Sequence, residues 1–389
     1  MICLDTLALI SSFLFFTLVL NSSSYNKIQE EEHSKYWYDK YVEFMTKHNV
    51  KDLIYKKSSD PSYNWKKFYI LATRFNRWSL FVGSLDKTTL ELSDNELTVI
   101  PPEIGALVNL KELNLSDNNL TVLPKEIGEL VHLEELNLSH NNLTVLPKEI
   151  GELVHLEKLN LLNNNVTVLP KEIKALVNLI NLNLSRNKTT VMPPEIGTLV
   201  NLEELNLSGN NLTIFPHAIE SLVNLLHLNL STNKITVIST EIGTLVNLEE
   251  LNLSGNNLTI FPNAIESLVS LTFLDLSFNN LKVLPKEIKS LVNLRGLFLG
   301  SNNLTVIPKE IALLVNLGNL NLDSNNLTVI CPEILLLVNL ITLGVSDNQI
   351  TVIPPEIKLL VNLQYLYVSD NKITEIPDEL EYLPIQIYL

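Results

Sequence analysis

Cysteine is nearly missing from this chain: Cys3 and Cys331 are its only two, far apart in sequence, and lay down no disulfide framework. Glycine is scarce at 12 residues, and no glycine-rich phosphate loop appears. No nucleophile with an attendant base and no cluster of metal ligands can be drawn, so catalysis, a cofactor and a metal are not expected. Positive charge is also short, with 28 Lys+Arg against 43 Asp+Glu. Residues 1–86 hold 11 and 9 of these, net +2, which leaves 17 against 34, net −17, for the rest. Nucleic acid is therefore a poor partner for the larger part. The apolar stretch Thr6–Leu20 is 15 residues long with Ser11, Ser12 and Thr17 inside it, short for a membrane span. No Lys or Arg precedes it, and no small-x-small cleavage site follows Leu20. A buried helix is the expectation there, with a signal peptide or anchor as the alternative.

What is present is a ruler. An asparagine recurs every 23 residues, at Asn95, Asn118, Asn141, Asn164, Asn187, Asn210, Asn233, Asn256, Asn279, Asn302, Asn325, Asn348 and Asn371. Around each runs L-x-x-L-x-L-x-x-N-x-L, as in Leu110, Leu113, Leu115, Asn118 and Leu120, the leucine-rich-repeat signature. A coil this short forms one strand, such as Leu113 to Leu115, and buries its apolar side only against neighbouring coils. The asparagines sit where the chain leaves the strand, so their amides satisfy backbone groups and form a structural ladder rather than a binding site. Beyond each asparagine, L-P-K-E-I-G-E-L places Leu123, Ile127 and Leu130 behind Pro124, which predicts a proline-started helical turn on the convex side. Ser239 and Cys331 replace that proline in two coils, as neutral substitutions. The expected fold is α/β: a right-handed horseshoe solenoid with a parallel concave sheet over residues 87–389. It comprises about 13 coils of 23 residues, counted from Lys87 to Ile385 without insertion or deletion, and a truncated last coil.

The coils resemble those of intracellular leucine-rich-repeat proteins of the Ras-scaffold and plant Ras-group-related type, whose L-P-x-x-I-x-x-L reads like Leu146, Pro147, Ile150 and Leu153. That resemblance implies a non-catalytic surface that binds proteins. Extracellular members of the wider family usually carry cysteine-rich end caps, and none exists here. N-x-S/T triplets occur at Asn114, Asn119, Asn137, Asn142, Asn206 and Asn252, where glycans would cover the concave side. A cytoplasmic location is expected on both grounds, with a secreted or membrane-anchored recognition receptor as the alternative.

Residues 1–86 read as a helical leader that caps the solenoid. Trp37, Tyr41, Phe44 and Met45 share one helical face, and Trp65, Phe68, Ala72 and Phe75 another, joined by a lysine-rich connector from Lys51 to Pro61. The order Ile10, Phe13, Leu14, Leu18, Tyr25, Ile28 and Trp37 resembles an F-box, although Leu4 and Asp5 stand where L-P is usual and the span from Phe13 to Tyr25 is short. That resemblance implies that Ile10, Phe13, Leu14 and Leu18 dock a ubiquitin-ligase adaptor while the solenoid holds the substrate. A plain cap is the other reading.

Strand side chains alternate, so the residues flanking each buried leucine face the concavity. Early and middle coils repeat Glu and Asn there, including Glu112, Glu204, Glu250, Asn137 and Asn206. The pattern then breaks at Phe273, Phe278 and Phe298, and again at Tyr365 and Tyr367. Phe273 and Phe298 are expected on neighbouring strands two positions out of step, with rings close enough to share one patch. The partner-binding candidates are thus Phe273, Phe278, Phe298, Glu250, His227, Tyr365 and Tyr367. His132 and His155 stack one coil apart, too few for a metal site. Glu195 to Pro216 and Glu241 to Pro262 are the same 22 residues, so a two-coil unit was copied. The open last strand invites self-association.

Overall fold

The structure, a computed structural model, describes residues 88–380 and 385–389. The leader with its helical faces, the Thr6–Leu20 stretch and the adaptor-binding candidates Ile10, Phe13, Leu14 and Leu18 lie outside the described residues. Among the described residues, no helix is long and apolar enough to cross a membrane.

Fourteen strands of three residues each, from β1 (Thr89–Glu91) to β14 (Gln386–Tyr388), form one parallel sheet in sequence order. Leu113 pairs with Leu90 on one side and Leu136 on the other, and this in-register stacking of like residues continues along the sheet. It follows from the repeat length, because a constant period puts the same residue type at the same height in every coil. Leucine at the middle strand position is buried throughout, as at Leu113, Leu205 and Leu274, while its neighbours face out.

The predicted convex turn is a 3-10 helix, not an α-helix: Lys125–Glu129 in the second coil, with a counterpart in each coil that follows. Ile127 N–H donates to the Pro124 carbonyl, Leu130 to Ile127 and Leu133 to Leu130, each step spanning three residues. A five-residue turn is too short for a stable α-helix, and a three-residue period keeps Ile127, Leu130 and Leu133 on one buried face. Fully burying each such side chain is worth about 1.5–3 kcal/mol, and only adjoining coils supply the cover. Phe215 and Phe261, from the copied segment, take the core slot held elsewhere by residues such as Leu123.

The asparagine ladder is buried from Asn118 to Asn348. Asn210 is typical: its Nδ2 donates to the Leu184, Leu207 and Ser208 carbonyls at 2.9, 3.0 and 3.3 Å, and its Oδ1 accepts from Thr189 N–H at 3.0 Å. Leu184 and Thr189 belong to the preceding coil, so each amide ties its own turn to the one before it.

One sequence count is corrected at the far end. Tyr365 pairs with Gln386, a spacing of 21 where every earlier step is 23. The final connection between strands is therefore two residues shorter than the uniform count implied.

Candidate protein-binding wall

The concave wall is built from the first and third residues of each strand. Asparagine at the third position closes the turn out of the strand, as where Asn206 Oδ1 accepts from Ser208 N–H at 3.0 Å and from Ser208 Oγ at 2.7 Å. Asn183 and Asn252 do the same for Ser185 and Ser254, and Asn229 for the Ser231 amide. Their Nδ2 groups find no acceptor among the described residues and face the groove as spare donors.

Phe273 opens β9 (Phe273–Asp275) and Phe298 closes β10 (Gly296–Phe298). Phe273 lies opposite Gly296 and Phe298 opposite Asp275, the two-position offset expected. The rings meet with centroids 5.2 Å apart and planes tilted by 39°, a favourable aromatic geometry. Both are half-buried and turned to the concavity. Gly296 is what admits them: a Cβ there would stand 3.0 Å from Phe298 Cε2 and 3.5 Å from Phe273 Cδ2. That glycine was missed from sequence, although it replaces the Glu or Asn usual at its position.

On the side of the earlier coils, Phe273 borders Glu250 of β8 (Glu250–Asn252), then His227 of β7 (His227–Asn229), then Glu204 of β6 (Glu204–Asn206). His227 Nδ1 lies 3.4 Å from Glu250 Oε2, and Glu204 accepts a hydrogen bond from Asn181. These groups line a groove of about 520 Å³ that ends at Phe273. Two acidic residues of the early coils are matched by lysines, Glu134 by Lys111 at 2.6 Å and Glu135 by Lys158 at 2.5 Å. Each carboxylate holds its lysine above the usual pKa. Glu203, Glu204, Glu249 and Glu250 have no lysine or arginine partner among the described residues.

Phe278 stands apart from the pair. It occupies the turn just past β9, with φ +54° and 67% exposure, and is not on the strand surface. The same position is left-handed in every coil, filled by Asp94, His140, Asn163, Gly209 and Gly255 among others. A phenylalanine there is unusual, since left-handed backbone favours Gly, Asn and Asp. His140 sits in this row of turns as well.

Tyr365 and Tyr367 lie on β13 (Tyr365–Tyr367), four to five strands from the groove along the sheet. Tyr367 stacks on Tyr388 with centroids 4.5 Å apart, so these rings join the last two strands. Burial and the neighbouring tyrosines push the Tyr367 hydroxyl pKa up. Two coupled departures between these regions also escaped the sequence reading. In β12 (Thr342–Gly344), Gly344 replaces the turn-closing asparagine, and Asp323 of the preceding coil takes over. Ser346 N–H donates to Asp323 Oδ1 at 2.7 Å, and a Cβ on Gly344 would stand 2.8 Å from Asp323 Oδ2. The signal was available as two simultaneous breaks of the repeat.

His132 and His155 do stack, with centroids 6.2 Å apart, on the flank before the strands. Their slot usually holds asparagine, where Asn201 Nδ2, for instance, donates to the Val177 carbonyl at 2.9 Å. Burial pushes the Cys331 thiol pKa up, which keeps it protonated.

Stacked parallel coils with an exposed, chemically varied sheet face define a solenoid class of binding protein. Residues 125–213 match a leucine-rich repeat region model, and residues 87–143, 212–258, 233–281 and 315–373 match a leucine rich repeat model. The chain belongs to the leucine-rich-repeat family. It is similar to a leucine-rich-repeat protein of Leptospira interrogans at 42% identity and TM-score 0.67, over 77% of this chain and 83% of that one. It is also similar, at 31% identity and TM-score 0.65, to the plant peptide hormone receptor RGFR1 in complex with RGF2, and at 31% and 0.70 to a TDR receptor. Each alignment covers 78% of this chain and 55% of the receptor, so the chain spans about half of those receptors. Among curated proteins, none matches. The intracellular subtype and the F-box-like leader are not distinguished by these likenesses.

Proposed function

We propose that this protein is a non-catalytic scaffold that binds a protein partner on its concave wall, anchored at Phe273 and Phe298. The carrying observation is the aromatic pair seated over Gly296 on a wall otherwise made of amides and carboxylates. Aromatic anchors dominate many interfaces, and truncating a central one costs about 2 kcal/mol or more. Neither ring belongs to the leucine core. Phe273→Glu with Phe298→Glu is therefore expected to abolish partner capture, read by affinity purification and mass spectrometry against wild type, with the thermal melt unchanged. Undiminished capture would move the site elsewhere on the solenoid.

Cytoplasmic residence is proposed from the absence of a disulfide framework and from N-x-S/T triplets such as that at Asn206, where a glycan on Nδ2 would cover the binding wall. The likeness to plant peptide hormone receptors favours a second reading, a secreted or anchored receptor using the same wall. Cell fractionation with a glycosidase mobility test separates the two. A ligase-recruiting role for the leader has the order of Ile10, Phe13, Leu14 and Leu18 as its support, and co-purification of the tagged leader with an adaptor subunit tests it.

A further inference from the structure

Resting on that reading of the wall, we infer that the occupant is an extended peptide segment carrying an apolar side chain for Phe273 and Phe298 and a lysine or arginine for Glu204 and Glu250. The aromatic pair lies at one end of the concave groove, and the groove runs from it past Glu250 and His227 to Glu204. No lysine or arginine of the described residues neutralises these carboxylates, whereas Glu134 and Glu135 of the early coils are matched by Lys111 and Lys158. The asymmetry gives the apolar seat one charged side. In the other direction β10 and β11 (Asn319–Asn321) present Gly296 and Asn319, which carry no charge.

The backbone of the occupant is addressed by the amides. Asn183, Asn206, Asn229 and Asn252 spend Oδ1 on turn closure and keep Nδ2 for an outside acceptor. Such a row suits the carbonyls of an extended chain, whereas a helix keeps its carbonyls internal. Distance sets the spacing. Glu204 lies three strands from Phe273, roughly 14 Å at about 4.8 Å per strand. An extended chain rises about 3.4 Å per residue, so a basic residue about four positions from the apolar one reaches Glu204 on the same face. One nearer to it meets Glu250.

The test selects a displayed library of random twelve-residue peptides on the full-length protein, sequences the enriched peptides and measures one synthetic representative. Enrichment of an apolar residue with Lys or Arg about four positions away is expected. Glu204→Lys with Glu250→Lys should weaken the representative at least about tenfold, with a matching loss at high salt, while Glu112→Lys leaves it unchanged. Phe273→Glu with Phe298→Glu should abolish binding. Enriched peptides that need the phenylalanines but show no basic preference overturn this inference and keep the anchored wall. Peptides indifferent to the phenylalanines, or no enrichment at all, overturn both. Unchanged thermal melts of the charge-reversed protein exclude misfolding as the cause of a loss.

Discussion

At the scale of single residues, the repeat assigns each polar side chain either to the frame or to the wall. Asn210 reaches four backbone groups in two coils and is frame, while Asn206 closes one turn and keeps its amide nitrogen for the surface. Asn210 was legible in the period alone, since a residue that never varies at a turn has a backbone duty, whereas the slot of Asn206 also holds Asp275, Phe298 and Gly344 and its turn-closing role was not. Less legible was compensation across coils, because it requires knowing that residue 323 touches residue 344. Asp323 supplies the acceptor that Gly344 lacks, and this makes the two positions dependent on each other. Asp323→Ser alone strands the Ser346 amide, and Gly344→Asn alone drives a side chain into the carboxylate. Each should cost about 1 kcal/mol, but the double variant rebuilds the ordinary turn, giving a coupling of about 2 kcal/mol in a double-mutant cycle of urea melts. A pH signature accompanies it. Burial is the largest cause raising the Asp323 pKa, with Asp347 adding to it, so the folded state prefers the protonated acid. That contribution is present below the ordinary carboxylate pKa and is lost as pH rises through the raised one. The double variant should therefore gain on wild type between acid and neutral pH, and equal pH dependence of the two proteins would contradict the assignment.

At the scale of the element, the strand and the convex turn are set by different physics. Three residues make a strand because both neighbours offer the same ladder, and alternation then exposes two of them. The sequence spacing identified a helical turn correctly but not its type, since Leu123, Ile127 and Leu130 satisfy a 3.6-residue and a 3.0-residue period almost equally over so short a run. The five-residue length of the turn favours the tighter 3-10 form. Proline before that turn presets the backbone, with φ near −67° at Pro193 and ψ near 145°. Ser239 and Cys331 hold nearly the same conformation, φ −74° and ψ 160°, and φ −63° and ψ 139°. The Ser239 hydroxyl is also buried without a hydrogen-bond partner. Replacing either by proline removes conformations from the unfolded chain without straining the folded one, worth about 0.4–1 kcal/mol each. Ser239→Pro and Cys331→Pro lie four coils apart and should add, raising the melting temperature in calorimetry in two equal steps. A fall in stability at either site would show that its backbone is not proline-compatible after all.

At the largest scale, the repeats of the described residues form a one-dimensional stack whose coils contact chiefly their neighbours, so coil number and wall pattern are separable properties. Repetition made the sheet order and register readable from the first residue of the pattern to the last strand but one. The wall was readable only where it departs from the repeat, because a departure can mean contact, as at Phe273, or closure of the stack, as at Tyr367 against Tyr388. The copied segment shows that adding coils is compatible with the fold, and removing one in register should be as well. Excising residues 227–249 joins Leu226 to Glu250, preserves the repeat phase and sets Glu204 directly beside Glu250. The shortened protein should still melt cooperatively. Its wall, however, would hold Glu204 two strands from Phe273 instead of three, roughly 10 Å in place of 14 Å. A peptide that reads both sites then loses at least about tenfold in affinity, whereas excision of residues 135–157, outside the groove, leaves affinity intact. Titration of one labelled peptide against the two deletions checks this. Equal affinity would mean that the occupant engages the aromatic seat alone and that spacing along the stack carries no information for it.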